Sequence, residues 1–130
     1  MKTLVREIPL SNGLTVRFFD ATRRYFGDYH QVRVTISFEV PLCADLFEDA
    51  ATHESAVKLL GAQVNYVKEI EHQGVPTLAT AETLENVIQH FIDNSLAYFE
   101  TEAFPRKFVH AELNKVRGKA KAYVPLRSNG

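Results

Sequence analysis

The strongest constraint on the fold is a strict alternation of apolar and polar residues between Tyr29 and Leu42. Apolar residues fill the even positions and polar ones the odd positions: Val32, Val34, Ile36, Phe38, Val40 and Leu42, against Gln31, Arg33, Thr35, Ser37 and Glu39. This period of two predicts a β-strand. A strand with one apolar face is typical of an antiparallel sheet, with one face on the core and the other in water or against a partner.

The sequence Asn12-Gly13 predicts a β-hairpin near the start of the chain, because both residue types tolerate the positive φ of a type I′ turn. The flanking segments alternate as strands do. The apolar residues of shared parity are Leu4, Ile8 and Leu10 before the turn, and Leu14, Val16 and Phe18 after it.

Beyond the third strand the apolar spacing becomes helical. It predicts a helix near residues 45 to 60 that ends on Gly61 as a left-handed cap. A longer helix is predicted from Ala81 to Glu100, with Thr80 as its N-cap. A last helix is predicted to begin near Phe104, with Pro105 at its first position.

Residues 62–73 fit a strand or a helix, and their β-branched and aromatic content favours a strand. The chain is therefore predicted to be α+β, with an antiparallel sheet of about four strands, an N-terminal meander, and helices packed on one face. Its 130 residues fit a single compact domain, 1–130. Residues 118–130 are predicted to form a flexible basic tail, within which the segment AYVPLRSNG, residues 122–130, is either disordered or a short edge strand.

The cysteine content and the lengths of the apolar runs indicate the cellular compartment of the protein. The single cysteine, Cys43, has no partner for an intramolecular disulfide. The N-terminal residues have no signal-peptide apolar run, and no stretch approaches the roughly 18 apolar residues of a membrane span. The sequence predicts a cytoplasmic protein with no membrane partner.

The predicted long helix has an apolar face about a half-circle wide, which is wider than one sheet contact requires. Two interpretations stay open: the helix is wedged between the sheet and a neighbouring helix, or part of this face is a homodimer seam. The residues predicted on an interaction surface are Leu96, Phe99, Lys115 and Lys119.

Charge is segregated along the chain. Residues 1–38 hold six basic and three acidic residues, residues 39–102 two and twelve, and residues 103–130 seven and one, which sums to the net charge of −1. The basic C-terminal segment can follow a nucleic-acid backbone, or lie against the acidic middle of the same chain or a second copy. The near-neutral total disfavours a dedicated nucleic-acid binder.

The segment DATRRYFGDYH, residues 20–30, is predicted to be a loop between strands. Arginine and aromatic side chains together can stack on a base or clamp a phosphate or carboxylate. The residues of this predicted ligand site are Arg23, Arg24, Tyr25 and Asp28. The simpler alternative is that Phe26 fills the core, Gly27 makes the turn, and Asp28 pairs with an arginine of the same loop.

Motifs of catalysis are not identified. The hairpin LSNGLTV resembles the entry strands of the pitrilysin-type zinc peptidases, but their His-x-x-Glu-His motif is missing, since His53-Glu54 is followed by Ser55. His90 and Asp93 share a helix face without an identifiable third ligand. We therefore predict no catalytic residue, no metal site and no cofactor.

Three segments, DATRRYFGDYHQVRV, LGAQVNYVKEIE and YFETEAFPRKFV, resemble members of a small bacterial family of unassigned function. That resemblance implies no site residues. The residues themselves favour a non-enzymatic cytoplasmic domain that self-associates or binds a protein partner. The alternative is nucleic-acid or anion binding through the Arg23 and Arg24 loop and the basic C-terminal segment.

Overall fold

The computed structural model describes the backbone of residues 2–128 and the side chains of residues 2–118. Its contacts divide the chain into two compact units. Unit 1 comprises the residues up to Glu39 together with Asn65–Thr101, and unit 2 comprises Val40–Val64 together with the residues from Glu102 onward. The single domain 1–130 stays a prediction.

The sheet begins with the expected hairpin, in which β1 (Thr3–Pro9) pairs antiparallel with β2 (Thr15–Asp20). Its turn is not the predicted type I′, because Gly13 has φ 92° and no residue other than glycine has positive φ in the described chain. The Gly13 N–H donates to the Leu10 carbonyl, and the Leu10 N–H to the Leu14 carbonyl. The loop therefore has three residues, with glycine at the position that requires positive φ.

The central strand is β4 (Tyr29–Pro41), which confirms the alternating segment. On one side it pairs with β2, and β3 (Arg23–Phe26) continues along the same side in the same register, from Asp20↔Val34 to Arg23↔Gln31. The segment predicted as a loop is thus a β-hairpin. On its other side β4 pairs with β5 (Gln63–Pro76), which confirms the strand interpretation of residues 62–73.

These five strands and three helices confirm the α+β class, with one strand more than predicted. The even-numbered side chains of β4 from Val32 to Phe38 are buried and form the apolar face of the sheet, whereas His30 is half-buried. In unit 1, α2 (Thr80–Phe99) packs on this face through Val87, Ile88, Phe91 and Phe99, each 7% exposed or less. The Phe18 and Phe91 rings meet edge to face at 5.7 Å.

The apolar face of α2 is narrower than its sequence indicates. Leu84, Ile92 and Leu96 are half-buried, and Tyr98 is 55% exposed. Thr80 is not the N-cap: Ala79 precedes the helix without a side-chain bond, and the Thr80 hydroxyl donates to the Thr77 carbonyl. The cause is a 3₁₀ turn, Thr77–Ala79, that leads directly into α2.

The opposite face of the sheet is covered by ion pairs. Arg17 lies between Glu7 and Glu39, at 2.9 and 2.8 Å, and Arg33 contacts Glu71 at 3.0 Å. Two residues of this face, Gln31 and Thr35, are 7% and 2% exposed, although their positions were predicted to be open to water or a partner. Long charged side chains of this kind cover neighbouring surface with their aliphatic stems.

Unit 2 contains α1 (Ala50–Leu60) and α3 (Phe104–Ser128), which pack against each other. Asp49 caps α1 by accepting from the Thr52 N–H at 2.7 Å. The helix ends before Gly61, as predicted, but Gly61 has φ 88° and ψ −165°, so its φ is positive and its conformation is not the predicted left-handed one. The helix α3 is longer than predicted. A flexible tail was predicted for residues 118–130. The side chains from residue 119 onward lie outside the described residues, so the flexible tail stays a prediction.

Phe47 organises the unit 2 core, since its ring lies 5.2 Å from that of His53 and 5.3 Å from that of His110. Each imidazole donates through Nε2–H to a backbone carbonyl, His53 to Leu42 at 2.7 Å and His110 to Leu46 at 2.9 Å. The His53 bond holds the segment before α1 against α1, and the His110 bond holds it against α3. Within the described residues, no helix combines the length and the apolar character needed to cross a bilayer.

Candidate binding surface at the hairpin tip

The hairpin of β3 and β4 closes with the smallest turn that antiparallel strands allow. Phe26 pairs with Tyr29, so Gly27 and Asp28 are its only loop residues. Gly27 has φ 52° and Asp28 does not have positive φ, which is the pattern of a two-residue turn with glycine in the first position. Gly27 therefore makes the turn, as one of the two interpretations of this segment predicted.

Every residue from Arg23 to Tyr29 is exposed. Tyr25, Phe26 and Tyr29 are 50, 72 and 47% exposed, and Leu78, which follows β5, is 97% exposed. We call these four residues, three aromatic ones and a leucine, the aromatic tip. The interpretation in which Phe26 fills the core is wrong, because Phe26 pairs with Tyr29 at the end of the hairpin and is 72% exposed.

Two contacts join the hairpin to the segment that carries Leu78. The Thr77 hydroxyl donates to the Asp28 carboxylate at 2.6 Å, and the Thr77 N–H donates to the Asp28 carbonyl at 3.0 Å. On the other side, the Tyr25 hydroxyl is 3.8 Å from the place that a Cβ on Gly74 would occupy. Asp28 thus pairs with Thr77 and not with an arginine of its own hairpin. Tyr25, Phe26 and Tyr29 flank this restrained turn along the chain, and Leu78 follows Thr77.

The structure does not bring Arg23 and Arg24 onto one face. Arg23 Nε donates to Gln31 Oε1 at 3.1 Å, whereas Arg24 Nε donates to the Gly27 carbonyl at 2.6 Å. Successive side chains of a strand point to opposite faces, so the two guanidinium groups are separated by the hairpin itself. The predicted site of Arg23, Arg24, Tyr25 and Asp28 is therefore a set of neighbours around a turn, without the two-arginine clamp.

The other predicted surface residues belong to different units, Leu96 and Phe99 to unit 1 and Lys115 to unit 2. Phe99 lies in the unit 1 core, where its ring is 5.2 Å from Phe38 and 5.0 Å from Tyr66, so it does not present a surface. Leu96 is half-buried on α2. Lys115 contacts Glu112 at 2.8 Å on α3, and the side chain of Lys119 lies outside the described residues.

Sequence reasoning missed Thr77 and Leu78, and the available signal was weak. In the sequence, Leu78 resembles any other surface leucine in a connection. Only the hydrogen bond between Thr77 and Asp28, which are 49 positions apart, shows that Leu78 lies near the hairpin. The useful signal was the polar tight turn, Gly27-Asp28, enclosed by aromatic residues on both sides.

Metal-ligating and nucleophilic residues do not gather at the tip. In the part of the chain with described side chains, no three His, Cys, Asp or Glu residues are grouped to hold a metal ion. His90 Nδ1 is contacted by the Asn94 amide at 3.2 Å, and Asp93 accepts from Gln89 at 2.9 Å. Cys43 is exposed. The surface chemistry of the tip is thus that of an apolar contact rimmed by hydrogen-bonding groups.

Comparisons with protein-family models, with curated proteins and with solved structures found no match to this chain. The resemblance to a bacterial family therefore stays a prediction.

Proposed function

We propose that this chain is a protein-binding domain that docks on its partner through the aromatic tip. The observation that carries the proposal is the exposure of Tyr25, Phe26, Tyr29 and Leu78, between 47 and 97%, around one turn. Clustered apolar exposure of this kind marks interaction sites, whereas single apolar residues on a surface need no explanation.

The residue types support a protein partner. Tyrosine and phenylalanine rings bury about 150–250 Å² each when covered, and tyrosine is enriched among residues that dominate binding energy. Tyr25, Phe26 and Tyr29 are 47 to 72% exposed, so at roughly 25 cal/mol per Å² covering what remains of one of them yields about 2–4 kcal/mol before the cost of association is subtracted. Three rings and a leucine are therefore enough to anchor an interface.

The hairpin is also held ready for binding. The bonds from Thr77 to Asp28 and from Arg24 to Gly27 restrain the turn before any partner arrives. A surface that is already ordered loses less conformational entropy on association than a mobile loop. The partner is either a second copy of this chain or another protein.

Nucleic-acid or anion binding through Arg23, Arg24 and the basic C-terminal segment is the second candidate. The observation in its favour is that both arginines are exposed beside exposed rings, which bases can stack on. It predicts affinity that falls steeply with salt. Affinity that is unchanged after substituting both arginines and deleting residues 118–130 would exclude this candidate.

Site-specific photocrosslinking tests the leading proposal. A benzophenone side chain replaces Phe26 in one variant and Leu59 in a matched control; Leu59 is 48% exposed and apolar but lies on α1. We expect a discrete adduct from position 26 and none from position 59. An adduct of twice the mass of the chain identifies self-association. An adduct of any other mass identifies a different protein as the partner.

The same experiment can contradict the proposal. We also expect the yield of the adduct to fall at least tenfold when Tyr29 and Leu78 are both replaced by serine. An adduct that persists in this variant, or equal adducts from positions 26 and 59, would show that the aromatic tip is not the docking surface. Circular dichroism of each variant establishes that the fold is retained.

A further inference from the structure

Unit 1 contains a groove that the aromatic tip does not use. It lies between β5 and α2, has a volume of about 410 Å³, and is lined by Ile70, His72, Thr83, Asn86, Val87 and His90. We call it the β5–α2 groove.

The lining residues converge because of the two secondary-structure periods. Ile70 and His72 are two positions apart and share one face of β5, while Thr83 and His90 are two turns apart on one stripe of α2. Val87 is 6% exposed and Ile70 is half-buried, so the floor is apolar. The exposed side chains of His72, Asn86 and His90 form the rim.

The groove runs along a free edge of the sheet. β5 pairs with β4 on one side, and among residues 2–128 no strand pairs with its other side. Such an edge offers unpaired backbone N–H and C=O groups, which another chain can use. Charged side chains often block an edge. Here Glu69 and Glu71 are directed to Arg33 on the face away from the groove, and among residues 68–72 Lys68 is the one charged residue that shares the groove face with Ile70 and His72.

The polar rim specifies the chemistry of the occupant. The Asn94 amide donates to His90 Nδ1, so in the neutral imidazole the proton is on Nε2, and His90 presents a donor. None of the six lining residues carries a charge when the histidines are neutral. On α2, Glu82 and Asp93 lie beside the lining positions Thr83 and His90, whereas on the groove face of β5 the one nearby charge is Lys68. The acidic residues therefore favour basic residues on the α2 side of the bound segment.

We infer that the β5–α2 groove binds an extended, basic and apolar peptide segment of a partner protein, which adds as a strand to the free edge of β5. An apolar side chain of this segment lies over Val87 and Ile70, and its backbone pairs with β5 while the rim donates to a carbonyl. The volume lies within the range of ligand sites and suits one or two side chains. This inference does not depend on the aromatic tip.

The test titrates the full, ¹⁵N-labelled chain with an acetylated and amidated seven-residue peptide of alternating lysine and valine. We expect saturable amide shifts in residues 68–73 and 83–90. N-methylation of the central peptide bonds removes backbone donors and is expected to weaken binding at least tenfold, since strand addition requires them.

Matched variants locate the site. Asn86→Trp places a large ring in the groove from an exposed position and is expected to weaken binding at least tenfold. Gln89→Trp makes the same change on α2 outside the groove and is expected to alter affinity less than twofold. No saturable shift at roughly 1 mM peptide, equal affinity for both variants, or tight binding of the N-methylated peptide would overturn the inference. Shifts confined to Tyr25, Phe26, Tyr29 and Leu78 would overturn it as well, while leaving the aromatic tip proposal standing.

Discussion

Asn12 serves the first hairpin and the end of α2 at the same time. Its side-chain amide donates to the Phe99 and Thr101 carbonyls at 2.8 and 2.9 Å, and its oxygen accepts from the Leu14 N–H at 3.2 Å. The last carbonyls of a helix have no partner within the helix, so Asn12 supplies donors that α2 lacks. A turn asparagine is thus also a cap for a helix 87 positions later.

Replacing Asn12 by aspartate should therefore destabilise unit 1 more than its small change in shape indicates. The substitution removes both donors and places a negative charge at the negative end of the α2 dipole. We expect the free energy of unfolding to fall by about 1–3 kcal/mol, measured by urea denaturation. Ser11→Ala is the control, and an equal loss in both variants would contradict the capping role.

Thr35 presents the opposite situation, a polar atom without a partner. Its side chain is 2% exposed, and its hydroxyl is buried with no hydrogen bond among the described residues. A buried polar group without a partner costs free energy that an apolar group of the same shape does not.

Thr35→Val should consequently stabilise the protein, by about 1 kcal/mol in urea denaturation. The matched control is Thr22→Val, because the Thr22 hydroxyl accepts from the Arg33 N–H at 3.4 Å and loses that bond. A gain in the control, or a loss in Thr35→Val, would show that the Thr35 hydroxyl has a stabilising role.

At the scale of elements, the start of α1 depends on an ionised cap. The backbone hydrogen bond from Thr52 lowers the pKa of Asp49 below its ordinary value of 3.8, with a side-chain bond from Thr52 adding to the effect. A carboxyl whose pKa is lowered by folding stabilises the folded state above its ordinary pKa, and this contribution is lost as the pH falls through the lowered value.

Asp49→Asn keeps an acceptor oxygen and removes the charge. We expect the wild-type protein to be the more stable one at pH 7, and the difference in unfolding free energy to shrink below about pH 4. Denaturation curves at several pH values measure it, with Asp45→Asn as a control in the preceding turn. A difference that is constant from pH 7 to pH 3 would contradict the assignment.

Elements also show where sequence patterns mislead. The segment 20–28 has no apolar alternation, because β3 is exposed on both sides, with all four of its residues open to solvent. A strand without a buried face leaves no period for a sequence to display. Similarly, Thr80 has the residue type of a cap, but the 3₁₀ turn Thr77–Ala79 places it inside the first turn of α2.

At the scale of the whole molecule, two kinds of association compete. Charge segregation predicts contact between the acidic middle and the basic C-terminal segment, whereas the aromatic tip predicts apolar contact. Salt distinguishes the two, because raising it from 0.1 to 1 M shortens electrostatic screening from about 10 to 3 Å and does not weaken apolar burial.

The adduct formed through position 26 should therefore keep its yield, within about twofold, between 0.1 and 1 M salt. Quantitative gel analysis of the photocrosslinked sample measures it. The variant Arg23→Gln serves as a control for the nearby charge, because it leaves the bond from Arg24 to the Gly27 carbonyl intact. A yield that collapses at high salt would indicate that charged groups, and not the aromatic tip, hold the partner.

The sequence by itself determined three features whose burial gives a clear pattern. The alternation of β4, the Asn-Gly hairpin and the amphipathic α2 are visible because burial imposes a period of 2 or 3.6 on the chain. Tertiary structure alone decided which distant groups meet: Asn12 with the end of α2, Asp28 with Thr77, and β5 with the stripe of α2 that forms the groove. The physical reason is that these contacts depend on strand register and on the rotation of a helix about its axis. The residue pattern within one segment carries no information about either.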